Sequence, residues 1–287
     1  MQKKIIKPRY KVLSVNMIKS YKDSLVSSEE IEAYFTRAYR GFKNARKLTG
    51  GRISGVYHLE DPIQASVIKS SKGTYRMLEL QREAEVLNYI KDTKLKHLVP
   101  NIRNYRKFDQ FAYIVLDYFD GETVRERLSK SRSVEDRQKT WEVAGTALAK
   151  IHTLCKSEDL TGTWLTEQLK LAKMNMEKGF IDLDDFGGED PKEVLEWLAS
   201  DKPERTETTL LHGDFRTKNI MVDQDQNCKI IDWGFTDVGD PYYDLAVIDY
   251  YFVDELDRKS FYKGYGSHAY DKGLIDYYDR LSWFINV

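Results

Sequence analysis

Three side chains that can chelate or polarise oxygen lie within residues 210–246, and they are Asp214, Asn219 and Asp232. The carboxamide follows the first carboxylate by five positions, and the second carboxylate follows an apolar pair, which fits a loop between two short strands. Phosphoryl transfer needs a base that orients the attacking hydroxyl and divalent ions that absorb charge on the phosphate oxygens. Because magnesium prefers hard oxygen ligands, the pattern predicts Asn219 and Asp232 as its ligands and Asp214 as the base.

The pieces of this pattern are weak when taken singly. His-Gly-Asp is a common tripeptide, and an Asp beside a Gly is more often part of a turn than a ligand. The stretch also holds a thirteen-residue step from Asn219 to Asp232 and the sequence Gly-Asp-Pro-Tyr-Tyr-Asp-Leu-Ala at 239–246. Together these features favour a phosphate site over a coincidence of turns.

The same stretch resembles the aminoglycoside phosphotransferase and choline kinase superfamily, which is related in fold to the protein kinases. His-Gly-Asp followed by Asn219, Ile-Asp-Trp-Gly at 231–234, and Gly-Asp-Pro with Asp-Leu-Ala carry the resemblance. It implies an α+β, bilobal protein-kinase-like fold. The small N-terminal lobe, residues 1–117, would be a mainly antiparallel five-stranded sheet with one key helix. A hinge linker at 118–122 would lead to a larger, mainly helical C-terminal lobe at 123–287.

The elements that must position these residues are indicated by periodicity and by caps. Apolar residues at helical spacing predict a helix over 74–91, and Ser133 with Asp136 three residues on predicts a capping box at the start of another. Residues 160–200 fit a helical insertion in the second lobe. The other predicted elements are a helix at 27–42, strands near 44–48, 101–108 and 111–117, and aromatic-rich helices at 247–256, 261–265 and 275–285.

A glycine-rich turn at 49–59 precedes a strand that ends on Lys69. Glycines let backbone N–H groups approach phosphate oxygens, although a hairpin turn without a ligand is the more common case. The turn lacks the Gly-Lys-Ser/Thr ending of a Walker A loop. The resemblance implies that Gly51, Ser54 and Gly55 cover the phosphates and that Lys69 contacts the α and β phosphates.

The resemblance also implies a helical Glu that pairs with Lys69. Glu83 is favoured over Glu85, and two residues apart on a helix the two side chains cannot face the same way. The resemblance further implies that the backbone of Asp117, Tyr118 and Phe119 binds the adenine edge. The alternative is that these residues simply follow the end of a strand and bind no ligand.

Several polar residues near the motifs are predicted to be structural. His152 is expected to be a packed helix residue, and His212 to organise the backbone before the base. Asp240 and Asp244 are expected to brace loops through N-caps and backbone bonds. Gly213 stands where regulated protein kinases have an arginine, which argues against a phosphorylation-switched protein kinase.

The chain has 287 residues, and its composition is that of a globular protein. Cys155 and Cys228 are far apart, which indicates neither a disulfide framework nor a metal site and suits a cytoplasmic protein. No apolar run approaches the ~20 residues that span a bilayer, so we expect a soluble protein without a membrane partner. The formal charge of the whole chain is −1, but the charged residues are unevenly distributed. Residues 1–115 contain 23 Lys plus Arg and 11 Asp plus Glu, whereas residues 116–287 contain 22 Lys plus Arg and 35 Asp plus Glu.

The motifs and the family resemblance together imply an ATP-dependent small-molecule kinase with Mg²⁺ that phosphorylates a hydroxyl of an amine-bearing acceptor. An aminoglycoside-like antibiotic, and hence antibiotic resistance, is favoured because choline kinases typically have Asn in place of Gly213. Five acids in 181–190 could attract such a cationic acceptor, although a solvated loop is the usual role of such a run. GTP in place of ATP, a choline, ethanolamine, sugar or macrolide acceptor, and a non-catalytic kinase-like binding protein are the alternatives. We expect no nucleic-acid partner and a monomer or weak dimer.

Overall fold

The computed structural model describes residues 45–48, 55–59, 65–109, 111–131, 133–154, 163–204 and 208–285. The predicted helix at 27–42, most of the glycine-rich turn with Gly51 and Ser54, and Cys155 lie outside these residues. The described residues divide into two compact units. The sheet unit comprises those within 45–121 together with 229–235, and the helical unit comprises those within 122–228 and 236–285.

The sheet unit is built on five antiparallel strands in the order β1-β2-β3-β5-β4. The predicted strands at 101–108 and 111–117 correspond to β4 and β5. Helix α1 follows β3 directly, and its predicted apolar face is buried. The bounds are β1 Ala45–Lys47, β2 Gly55–Leu59, β3 Ser66–Lys72, α1 Thr74–Ile90, β4 Ile102–Lys107 and β5 Phe111–Asp117.

Side-chain alternation divides the residues of this sheet between its two faces. On one face Tyr57, Ile68, Tyr113 and Val115 form a buried apolar cluster. The residues that alternate with them along each strand, such as Lys69 next to Ile68, therefore lie on the opposite face. The sheet thus holds a core on one side and presents its lysine on the other.

Helix α1 packs against the short 3₁₀ turn Trp233–Phe235, which belongs to the same unit. The approach is close, because a Cβ built at Gly234 would lie 3.2 Å from both the Cβ and the carbonyl oxygen of Glu79. A larger residue at this position would push the turn away from α1. The glycine of Ile-Asp-Trp-Gly therefore fixes the distance between the turn that follows Asp232 and the helix that carries Glu83.

The helical unit contains short strands and most of the α-helices. Strand β6 pairs with β8, and β7 pairs with β10, both in antiparallel register. The bounds are β6 Glu122–Thr123, α2 Val124–Lys130, α3 Val134–Ile151, α4 Thr163–Glu177, α5 Pro191–Ser200, β7 Thr209–Leu211, β8 Ile220–Val222, β10 Asp237–Gly239, α6 Tyr242–Asp249, α7 Glu255–Tyr265 and α8 Lys272–Ile285. Strand β9, Cys228–Ile230, begins at the last residue of the segment 122–228 and continues into residues assigned to the sheet unit.

Helices α3 and α7 cross at glycines. A Cβ at Gly145 would lie 2.1 Å from the carbonyl oxygen of Phe261, and a Cβ at Gly264 would lie 2.1 Å from that of Glu142. Such distances exclude any side chain, so the two backbones are in direct contact. The predicted core face of α3, which includes Trp141 and Leu148, is fully buried.

Two sequence predictions differ from the structure. Ser133 does cap α3 by accepting a hydrogen bond from the Asp136 N–H at 3.1 Å, but the Asp136 carboxylate accepts from Ser131 and pairs with Arg127. The full capping box is instead at Thr123 and Glu126, where α2 begins.

The predicted helix at 247–256 is wrong, because α6 ends at Asp249 and α7 starts only at Glu255. The side chain of Asp254 accepts a hydrogen bond from the Asp257 N–H at 3.0 Å and thereby starts a new helix. The residues between the helices include Tyr250 and Val253, which are 81% and 85% exposed. In the sequence both residues fit the apolar spacing of a helix, which led to the wrong prediction, although neither is part of a core.

In the described part of the chain, no helix combines the length and apolar character that crossing a membrane requires.

Candidate active site

The predicted base lies in a tight turn that follows β7. Gly213 has a φ of 83°, a left-handed conformation that glycine adopts without strain, and this reverses the chain between His212 and Asp214. The ring of His212 accepts a hydrogen bond from the Asp214 N–H at 3.2 Å. His212 is fully buried, so it acts on the backbone of the turn, as its position before the base led us to expect.

Asp244 holds the same turn from helix α6. Its two carboxylate oxygens accept hydrogen bonds from the N–H groups of His212, at 2.7 Å, and Gly213, at 2.8 Å. Asp244 is fully buried and lies in the first turn of α6, where the helix dipole favours a negative charge. The turn that presents Asp214 is therefore fixed by two charge-assisted hydrogen bonds to a buried carboxylate.

A third group, from helix α3, completes this arrangement. The Nε2 atom of His152 is 3.2 Å from an oxygen of Asp244, and its Nδ1 atom is 2.8 Å from the hydroxyl of Tyr265 on α7. The carbonyl oxygen of His152 also accepts a hydrogen bond from Thr209, which begins β7, at 2.6 Å. His152 is thus a packed residue, and it links three elements to the turn that carries the predicted base.

The Asp214 carboxylate is surrounded by hydrogen-bond donors. Arg216 pairs with one of its oxygens, and Lys218 lies 3.6 Å from the other. The side-chain amide of Asn219 donates to the second oxygen and to the Asp214 carbonyl oxygen, both at 2.8 Å. Because each carboxylate oxygen has two lone pairs, the group can still accept a hydrogen bond from a further donor. Arg216 was not among the predicted residues, although an arginine two positions after the predicted base was a readable signal.

Asn219 ends a short 3₁₀ turn, Thr217–Asn219, and is 3% exposed. Since its Nδ2 atom is committed to Asp214, the orientation of the amide is set and its oxygen is the atom that remains to coordinate a cation. The five-residue step between Asp214 and Asn219 thus brings the two side chains into contact.

In the sheet unit, Lys69 contacts two carboxylates. Its Nζ atom is 2.7 Å from Glu83 on α1 and 2.5 Å from Asp232. Of the two acidic residues considered for this pairing, Glu83 is the one in contact, whereas Glu85 accepts a hydrogen bond from Gln81 at the surface. Burial alone would lower the pKa of Lys69, but the negative charges of Asp232 and Glu83 and the hydrogen bonds to them raise it above its ordinary value. Lys69 therefore remains a cation at any physiological pH.

Asp232 has a side chain that is one third exposed and a backbone φ of 70°. A left-handed conformation is uncommon for a residue other than glycine. One of its oxygens contacts Lys69. Within the described ranges, no group of three His, Cys, Asp or Glu side chains could hold a metal ion by itself. The side-chain oxygens of an Asn and an Asp are hard donors of the kind that magnesium prefers, and magnesium commonly takes one or two protein ligands and completes its shell with phosphate and water.

The remaining predicted nucleotide contacts are at the ends of strands β2 and β5. Gly55 begins β2, and its carbonyl oxygen accepts a hydrogen bond from Ser70 at 3.3 Å. The N–H groups of Asp117 and Tyr118 donate to the carbonyl oxygens of Asn101 and Ala65, at 2.9 and 3.2 Å. Phe119 follows, and its carbonyl oxygen accepts from the Gly121 N–H at 3.1 Å.

A five-stranded antiparallel sheet with one helix, in a chain whose second unit is mainly helical, is the architecture of a kinase-like phosphotransferase. The sequence model of the phosphotransferase enzyme family matches residues 44–284. The chain therefore belongs to this family, and it is an enzyme that transfers a phosphoryl group to an alcohol group.

Known relatives agree with this assignment. The aminoglycoside 3'-phosphotransferase of Niallia circulans is 24% identical over 213 residues, which cover 71% of this chain and 78% of that protein. The enzyme of the same name from Enterococcus faecalis is 23% identical over 72% of this chain and 78% of its own length. The crystal structure of an aminoglycoside-3'-phosphotransferase of type VIII superposes with a TM-score of 0.68 at 19% identity, covering 88% of this chain and 98% of that one. This likeness concerns the fold, and it confirms the predicted α+β kinase-like architecture.

Proposed function

We propose that the protein transfers the γ-phosphoryl group of ATP to a hydroxyl of an aminoglycoside or a closely similar amine-bearing acceptor. The observation that carries the proposal is the turn at Asp214, which Asp244 fixes on one side and Asn219 contacts on the other. A carboxylate held this rigidly suits a reaction in which the protein mainly orients the attacking group.

In this proposal Asp214 accepts a hydrogen bond from the acceptor hydroxyl and takes its proton as the oxygen bonds to the γ-phosphorus. The bond from that phosphorus to the β,γ-bridging oxygen breaks, and ADP leaves. The fixed position of Asp214 aligns the hydroxyl. Arg216, which pairs with the carboxylate, keeps it in one orientation.

Lys69 is proposed to bind the α and β phosphates. Glu83 holds its direction through an ion pair in which the carboxylate is almost completely buried, with 2% of the side chain exposed. Gly51, Ser54 and Gly55 are proposed to cover the phosphates, and the backbone of residues 117–119 to bind the adenine edge. Magnesium, held by Asn219 and Asp232, would supply neutralisation of charge on the phosphate oxygens.

The acceptor class is supported by the acidic segment around the 3₁₀ turn Leu183–Phe186, which lies in the helical unit with Asp214. Burial and the charges of Asp182 and Asp184 raise the pKa of the Asp185 carboxyl, and the positive charge of Arg216 partly offsets this. Mutual repulsion among these carboxylates would be relieved by a polyamine ligand. The relatives named aminoglycoside 3'-phosphotransferase point to the same class of acceptor.

A panel of acceptors tests the proposal. The protein is incubated with Mg²⁺ and ATP or GTP, and with aminoglycosides that carry or lack a 3'-hydroxyl, choline, ethanolamine, macrolides and free sugars. We expect a mass gain of one phosphoryl group on aminoglycosides. Phosphorylation of choline or a sugar alone would reject the proposed acceptor, and no product with any of them would reject the whole class.

Charge-neutralising variants test the acidic segment. Asp184→Asn and Asp185→Asn should raise the KM for the acceptor and leave the KM for the nucleotide unchanged. The matched control is Asp225→Asn, an exposed acid in a turn of the same unit. Equal changes in both Michaelis constants would show that the segment does not bind the acceptor.

A further inference from the structure

The sheet unit contains a buried histidine, His58, on strand β2. The residue is 8% exposed, and neither ring nitrogen has a hydrogen-bond partner among the residues that the structure describes. Buried polar groups in native proteins almost always have a partner, because an unpaired one is destabilising. The presence of a histidine here, rather than an apolar residue of the same shape, therefore calls for a role other than folding.

The strand register places His58 on the face of the sheet that carries Lys69. Its neighbour in sequence, Tyr57, belongs to the apolar cluster on the other face. Across the strand pair, His58 lies opposite Val67, and Val56 lies opposite Lys69. Since residues two apart on a strand share a face, His58, Val67 and Lys69 all lie on the same side.

His58 is near the strand end at which residues 117–119 leave the sheet. Its ring packs against Tyr118 with the ring centroids 4.2 Å apart and the planes tilted by 39°. The N–H of Tyr118 bonds to Ala65, immediately before β3. Along the chain the order is therefore Ala65, just before β3, then Val67 opposite His58, and then Lys69. The imidazole lies between the segment proposed to bind the base and the lysine proposed to bind phosphates.

We propose that His58 determines nucleotide specificity by packing its ring against the nucleobase and hydrogen-bonding to it through a ring nitrogen. This inference rests on the proposed function, which puts the base end of the nucleotide at residues 117–119. The ligand chemistry follows from the residue: an imidazole offers an aromatic face with one donor and one acceptor, which suits a heterocyclic base. The phosphates are the part of the nucleotide that Lys69 recognises by charge.

Three variants separate this role from simple packing against Tyr118. His58→Phe keeps an aromatic ring and removes both nitrogens. His58→Gln keeps a donor and an acceptor and removes the ring. The matched control is His97→Phe, an exposed histidine of the same unit whose ring contacts the Lys94 carbonyl oxygen at 3.1 Å.

Calorimetric titration with Mg-ATP, adenosine and Mg-tripolyphosphate gives the readout, together with urea unfolding. We expect His58→Phe to bind Mg-ATP and adenosine about fivefold more weakly, the usual effect of losing one hydrogen bond, and to bind tripolyphosphate as the wild type does. Its unfolding midpoint should be unchanged or higher, because an unpaired buried group has been removed. His58→Gln should recover part of the affinity, and His97→Phe should match the wild type.

Two results would overturn the inference while leaving the proposed function intact. One is wild-type affinity of His58→Phe for both adenosine and Mg-ATP, and the other is an equal loss for tripolyphosphate. Failure of the wild-type protein to bind Mg-ATP would instead reject the proposed function, and this inference with it.

Discussion

Replacing Asp244 by Asn tests how the catalytic turn is held. The carboxylate accepts hydrogen bonds from the N–H groups of His212 and Gly213, one on each oxygen. An amide has one oxygen and one NH₂ group, so in either orientation it presents a donor to one of these N–H groups. Because Asp244 and His212 are both fully buried, water cannot replace a bond lost by the His212 N–H.

The size of the effect follows from this count. One hydrogen bond to a charged acceptor is lost and one buried N–H is left unpaired, so we expect Asp244→Asn to lose about 2 to 4 kcal/mol of unfolding free energy. The loosened turn should also misplace Asp214, and a displacement near 1 Å can lower kcat by about 10²-fold. Nucleotide affinity should not change, because Asp244 has no proposed contact with the nucleotide.

The assay combines urea unfolding, steady-state kinetics and calorimetric titration with Mg-ATP. Asp249→Asn is the matched control, because Asp249 lies on the same helix and pairs with Arg258 in a half-buried ion pair. It should leave kcat unchanged, because Asp249 pairs with Arg258 and not with the turn at Asp214. If Asp244→Asn kept wild-type stability and kcat, the claim that Asp244 fixes the turn would be refuted.

Two further predictions concern the lysine and the packing of the helices. Glu83→Gln removes one of the two carboxylates on Lys69, so the KM for nucleotide should rise about tenfold, whereas Glu85→Gln on the same helix should leave it unchanged. Gly145→Ala places a Cβ 2.1 Å from a carbonyl oxygen of α7, and urea unfolding should show a loss of about 2 to 3 kcal/mol. Gly273→Ala, where a Cβ would find space, should be neutral or stabilising. Equal effects of Glu83→Gln and Glu85→Gln would contradict the argument about Lys69. Equal effects of Gly145→Ala and Gly273→Ala would contradict the argument about the contact between α3 and α7.

The residues around the predicted base were readable from sequence because they are close together in the chain. Asp214 and Asn219 are five residues apart, so one turn brings them into contact. The strands β4 and β5 and the helix α1 were likewise predictable, since their periodicity spans many residues.

Long-range contacts could not be read in the same way. Tyr265 is 113 residues from His152, and nothing in either local sequence indicates that a phenol meets that imidazole. The end of α6 was also missed, because Tyr250 and Val253 continue an apolar pattern although both are exposed. Local periodicity reports which residues are apolar, whereas tertiary packing decides which of them are buried.

The catalytic role of Asp214 is tested most directly by Asp214→Ala, measured for both phosphoryl transfer and Mg-ATP affinity. We expect the transfer rate to fall by about 10² to 10⁴-fold, the usual contribution of a general base, with Mg-ATP affinity unchanged. Asp232→Ala should weaken Mg-ATP binding as well, because its carboxylate is the proposed metal ligand. Near-normal transfer by Asp214→Ala would contradict the account.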